Sequence, residues 1–107
     1  MSKNKELADY IMDQLCDLGN VRNIPMMGGY IFYYKERIFG GIYGNGFLVK
    51  ITEASKKFML DSEPEPPYEG AKTMLPVTIL DDRTALQNMV KEMYPELPER
   101  KSKKKKV

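Results

Sequence analysis

The sequence predicts a small α+β domain: an antiparallel sheet, built as a meander of three to four strands plus a later strand, packed with N- and C-terminal helices. Three observations predict it. Residues 30–51 hold three short runs rich in aromatic and β-branched residues, separated by Lys35-Glu36 and by Gly44-Asn45-Gly46, the pattern of linked hairpins. Residues 3–18 and 82–94 carry apolar side chains at helical spacing, the mark of amphipathic helices. Basic residues crowd the C-terminal end, where Val107 is the one apolar residue after position 98; such a segment cannot bury enough surface to order itself.

A chain of 107 residues makes one domain with one modest core. The expected division is a folded unit over 1–98 and a disordered Lys-rich tail over 99–107. No apolar run approaches the roughly 20 residues that cross a bilayer. The first residues lead into an amphipathic segment instead of an apolar one, so no secretory leader is expected. The single cysteine, Cys16, has no internal partner; a reducing, cytoplasmic setting is expected.

Histidine is absent. That excludes serine or cysteine nucleophiles driven by an imidazole base and, with one cysteine, argues against a structural zinc site. No cofactor is expected. The net charge of +2 hides an asymmetry: residues 1–99 hold 11 basic and 15 acidic residues, net −4, whereas residues 100–107 hold six basic residues and no acid.

Taken in order, Leu7, Ile11, Leu15 and Leu18 form one stripe of a helix over 3–18, with Ala8, Met12 and Cys16 widening it. Cys16 is expected to be a half-buried packing residue, and Asn4 or Ser2 the cap. Residues 21–27 suit an edge or an irregular strand, because Pro25 cannot donate to a ladder. Gly28-Gly29 permits a bend. A phosphate loop would need a longer glycine pattern and a following helix, and neither is present.

In the strand at 30–34, Tyr30, Phe32 and Tyr34 should point one way and Ile31 and Tyr33 the other. In 37–43, Ile38, Gly40 and Ile42 should alternate against Phe39, Gly41 and Tyr43, with Gly40-Gly41 marking a bulge or the close approach of a helix. Strand 46–51 should put Phe47, Val49 and Ile51 on one face. The sheet tyrosines lack the basic interleaving of a base-stacking surface: only Lys35, Arg37 and Lys50 accompany them.

A short helix over 53–60 follows, capped by Thr52 and docked by Phe58 with Met59 or Leu60. Residues 61–70 form a loop, since three prolines forbid a helix. Its acids, Asp61, Glu63, Glu65 and Glu69, lack a calcium-loop spacing. In a strand over 74–80, Pro76 argues for an edge position or a bulge. Asp81 or Asp82 caps the last helix, whose stripe is Leu86, Met89, Val90 and Met93.

With this order laid out, the chain resembles the TfoX N-terminal domain family (TfoX/Sxy) over about residues 5–97. The most specific piece is Met-x-Gly-Gly-Tyr at Met26, Gly28, Gly29 and Tyr30. Ile38-Phe39, Leu48-Val49-Lys50, Pro67 to Gly70 and Val77 to Leu86 are also similar. Met27 stands where phenylalanine is common in the family, and Ile24-Pro25 where basic residues often precede the motif. The resemblance implies a secretion-chaperone-like fold with a bent antiparallel sheet, and a single-domain relative of regulators of DNA-uptake competence, which act with a DNA-bound activator. It brings no catalytic residues.

The expected function is therefore a non-enzymatic regulatory or adaptor domain acting through a protein partner near DNA, as monomer or homodimer, with no membrane role. The alternative is sequence-independent nucleic-acid binding through Arg100, Lys101, Lys103, Lys104, Lys105 and Lys106, whose charges would release counterions from a phosphate backbone.

Overall fold

A computed structural model of the protein describes residues 3–26, 28–43 and 46–97. Helix α1 spans Lys3–Gln14 and is followed by a 3-10 turn at Cys16–Leu18. Four strands form the meander: β1 (Val21–Met26), β2 (Gly29–Tyr34), β3 (Arg37–Tyr43) and β4 (Gly46–Val49). Helix α2 (Glu53–Phe58), a proline-rich segment and the short β5 (Leu75–Pro76) come next. Helix α3 (Arg83–Met93) and a 3-10 turn at Tyr94–Glu96 end the described chain. The sheet is antiparallel throughout, in the order β1-β2-β3-β4-β5. The α+β class and the meander are as the sequence predicts.

The core lies between one face of the sheet and the helices. Phe32, Tyr34, Phe39, Ile42, Phe47 and Val49 meet Ala8, Ile11 and Leu15 of α1 and Leu86, Met89, Val90 and Met93 of α3. Phe32, Phe39 and Phe47 form its centre, with ring centroids 5.5 to 6.4 Å apart at tilted or edge-on angles, the spacing that aromatic quadrupoles favour.

Strict alternation fails in β3. The β2–β3 register passes from Phe32↔Gly40 to Tyr33↔Ile38, so Phe39 is the extra residue of a bulge. The bulge turns Phe39 to the core beside Ile42, and Ile38 joins Tyr43 on the outer face. The expected pairing of Ile38 with Ile42 is thereby corrected; a bulge shifts the phase of a strand by one. The close approach at Gly40 and Gly41 is made by neighbouring strands and not by a helix. A Cβ on Gly40 would strike the Leu48 carbonyl, and one on Gly41 the Tyr30 carbonyl.

Other expectations change at element ends. Cys16 is exposed, because the helix gives way to the 3-10 turn before it. The helix expected to 60 ends at Phe58; Met59 is buried and Leu60 is 85% exposed. β4 stops at Val49, so Ile51 leaves the inward row and is exposed. β5 holds two residues instead of seven, since Pro76 supplies no ladder donor. The Thr52 cap is present as a reciprocal box with Ser55, and Asp82, not Asp81, caps α3. Residues 44 and 45 of the expected Gly-Asn-Gly turn, Met27 and the whole tail from 98 lie outside the described residues.

Candidate functional site

The outer face of the sheet carries the site. The β1–β2 hairpin brings Met26 and Gly29 together across a two-residue connection. Gly28 has a φ of +83°, which only glycine adopts without strain. Gly29 sits flush on the Ile42 carbonyl of β3, where a Cβ would collide. The Asn4 amide donates to the Gly28 carbonyl at 2.8 Å, tying the start of α1 to this hairpin; Asn4 lies inside α1 and is not its cap, and Ser2, the other expected cap, lies outside the described residues.

The proline-rich segment crosses the same face and is fixed there. Glu65 and Met74 exchange two backbone hydrogen bonds at 2.9 Å. The Ser62 hydroxyl donates to the Pro76 carbonyl at 2.6 Å. Pro67 is buried, and Leu48, on the side of β4 opposite to Phe47 and Val49, is fully buried too. The Tyr68 ring meets Tyr43 at 6.2 Å between centroids.

Hairpin, α1 start and proline segment enclose a cleft of about 330 Å³. Its walls are Asn4, Met26, Gly28, Gly29, Ile31, Ile42, Tyr43, Pro67 and Tyr68. A second, shallower hollow of about 440 Å³ lies beyond the Tyr43–Tyr68 pair, bordered by Ile38, Lys50, Ile51 and Met74. Met26 is 46% and Tyr68 64% exposed, so the lip of the cleft is apolar surface left open to water. Burial, and then the neighbouring Tyr68, push the Tyr43 phenol above its ordinary value; its hydroxyl stays protonated and available as a donor.

The walls of the cleft, among the described residues, hold no carboxylate, amine or thiol. Among the described residues, no group of three or more Cys, Asp or Glu side chains is placed to hold a metal ion. Asp61, Glu63 and Glu69 are exposed; Glu65 is half-buried and bridges to Met74 through its backbone, not its carboxylate.

Of the motif residues singled out in the sequence, Met26, Gly28 and Gly29 line the cleft, while Tyr30 turns to the core side. The six basic tail residues lie outside the described residues. Sequence reasoning missed Asn4, Ile31, Tyr43 and Tyr68 as neighbours. The clue was the Pro-Tyr-Glu-Gly segment, which is distant in the chain from the glycine pair but shares its cleft.

A family model of the TfoX N-terminal domain matches residues 13–96. The chain belongs to the TfoX N-terminal domain family. The matched span contains every cleft residue except Asn4. The chain is also similar to an uncharacterized 12.7 kDa protein in the trpE 5′ region of Spirochaeta aurantia, at 28% identity over 108 residues, covering 100% of this chain and 94% of that protein. No described helix of this TfoX N-terminal domain is long and apolar enough to cross a membrane.

Proposed function

We propose that this TfoX N-terminal domain is a non-enzymatic regulatory adaptor that docks a protein partner on its outer sheet face. The observation that carries the reading is convergence. Two segments similar to the family, the Met26–Gly29 hairpin and Pro67-Tyr68, meet in one apolar cleft with an exposed methionine and tyrosine at its lip. Tyrosine and methionine are favoured at docking surfaces because they offer large, adaptable contact area. The occupant is an apolar side chain of the partner, Leu, Met or Phe, set between Met26 and Tyr68, with a partner carbonyl accepting from the Tyr43 hydroxyl. Absence of histidine and of any catalytic group in the cleft supports a binding role over catalysis. Membership of the family supports a regulatory setting in the cytoplasm, near DNA.

A photo-crosslinking residue placed at position 68 tests this, with one at exposed Leu60 as control. The reading expects a discrete protein crosslinked from 68 and absent from 60. Identical products from both positions, or none from 68, would refute it.

A second reading rests on charge. The six cations at 100–106 follow a body of net −4. The chain is clamped just before them: Arg37 donates to the carbonyls of Tyr94 and Leu97 at 3.1 and 3.3 Å. In this reading the tail is a phosphate anchor that leaves the folded unit from a fixed root. Anisotropy of labelled DNA and RNA, titrated with full-length protein and with a 1–99 truncation, should show binding by the full chain alone, with a steep salt slope.

A further inference from the structure

The sheet has two edges, and they are not alike. At the β5 edge the strand is two residues long, contains Pro76, and has its Pro76 carbonyl taken by Ser62. Short strands, proline and covered carbonyls are the devices that stop a sheet from growing. The β1 edge is six residues long, and its register with β2 runs unbroken from Val21↔Tyr34 to Met26↔Gly29. Its one charge, Arg22, is held on the outer face over the Tyr33 ring at 4.2 Å and neutralised by both carboxylate oxygens of Glu36 at 2.8 and 2.9 Å. Charge therefore guards this edge only against registers that set the two Arg22 side chains opposite each other.

The hydrogen-bond phase says which groups of β1 are free. The Lys35 amide donates to the Asn20 carbonyl, which makes Asn20–Lys35 a bonded pair in continuation of the register. Bonded pairs recur every second residue in an antiparallel ladder. Arg22, Ile24 and Met26 thus face β2 with their backbone groups, and Val21, Asn23 and Pro25 turn theirs outward. Pro25 falls on the outward set, where its missing donor costs the β1–β2 ladder nothing; it offers an added strand its carbonyl alone, so of the three outward residues only Val21 and Asn23 carry donors.

We propose that β1 is a self-association edge: a second copy of this chain adds its own β1 antiparallel, with Asn23 on the two-fold axis, to make one continuous ten-stranded sheet. The register follows from the residues. Centring on Asn23 lets each Asn23 amide donate to the Asn23 carbonyl of the second copy, and each Val21 amide to the Pro25 carbonyl of the second copy. All four outward donors of the pair are satisfied. Arg22 then stands opposite Ile24 of the second copy. Centring on Arg22 would satisfy as many donors but set the two arginines face to face, which is unfavourable. Centring on Ile24 would carry each Val21 amide past Met26, the last residue of the second copy's strand, and leave it unmatched. The occupant is a second copy because this one register uses every free donor without a charge clash.

The test is sedimentation of full-length wild type, Asn23→Pro and Asn23→Lys over a wide concentration range, with amide exchange by NMR on the wild type. Proline at 23 removes only an outward donor; lysine at 23 places two like charges on the axis. The expected result is a concentration-dependent dimer, weakened at least about tenfold by either variant with unchanged circular dichroism. The amides of Val21 and Asn23 should gain protection as the dimer forms, while those of Arg22 and Ile24 are protected already in the monomer. A wild-type chain that stays monomeric, a dimer indifferent to both variants, or protection that appears elsewhere would overturn the proposal. Should Asn23→Pro fail to fold, Asn23→Lys and the exchange pattern decide alone.

Discussion

At the residue scale, the glycines separate two kinds of constraint. Gly40 is demanded by space, since a Cβ there meets the backbone of β4, which cannot move without breaking the ladder. Gly28 is demanded by its φ of +83°, and nothing lies within reach of an added methyl group. Gly40→Ala should therefore cost about 3 kcal/mol, and Gly28→Ala about 1 kcal/mol, as measured by urea unfolding. Equal costs at the two sites would contradict this geometry. The tyrosines set a pH limit. The Tyr43 phenol is raised first by burial and then by Tyr68; that of Tyr10 is raised first by its hydrogen bond to Asp81. Both prefer the protonated form when folded. Their contribution to stability is complete below the ordinary phenol value of about 10 and is lost as pH rises above it, through the raised folded-state values. Urea midpoints should fall above about pH 10, and Tyr43→Phe should make that fall shallower.

At the element scale, the short helix α2 depends on other parts of the chain. Six residues do not make a stable helix alone. Besides its Thr52–Ser55 box, α2 has its first two amides bound by the Glu96 carboxylate, at 2.8 Å to Glu53 and 3.2 Å to Ala54. An acid at a helix start also meets the positive end of the dipole. Glu96→Ala should lower stability by about 1 kcal/mol, and Glu96→Gln by less. Residues near in sequence made most elements readable: the stripe from Leu86 to Met93 is buried as its spacing predicts, and Thr52 caps as its type predicts. What sequence spacing does not carry is cross-chain geometry. The Gly40-Gly41 pair signals a bulge or a close approach in β3, but that Phe39 is the extra residue depends on the register between β2 and β3, which no local pattern carries. The cleft was half visible, through the Met26–Gly29 motif. Its other wall, Pro67-Tyr68, lies some forty residues on and is brought over by the Glu65–Met74 bridge, a long-range contact with no periodic signature.

At the scale of the whole molecule, two sides of the sheet do different work. The inner face is filled by three helices, whereas the outer face is only partly covered and keeps an apolar cleft open. Arg37, through the Tyr94 and Leu97 carbonyls, and Glu96, through the first amides of α2, hold the chain up to Leu97 against the body. Removing residues 100–107 should abolish any salt-sensitive nucleic-acid affinity while leaving partner docking at the cleft unchanged, which separates the two readings. The most direct test of the account is the affinity of the partner crosslinked at position 68 for purified wild type, Tyr68→Ala and Leu60→Ala, measured by calorimetry. Docking at the cleft predicts a loss of about tenfold or more for Tyr68→Ala and no change for Leu60→Ala. Equal affinities for all three proteins would contradict it.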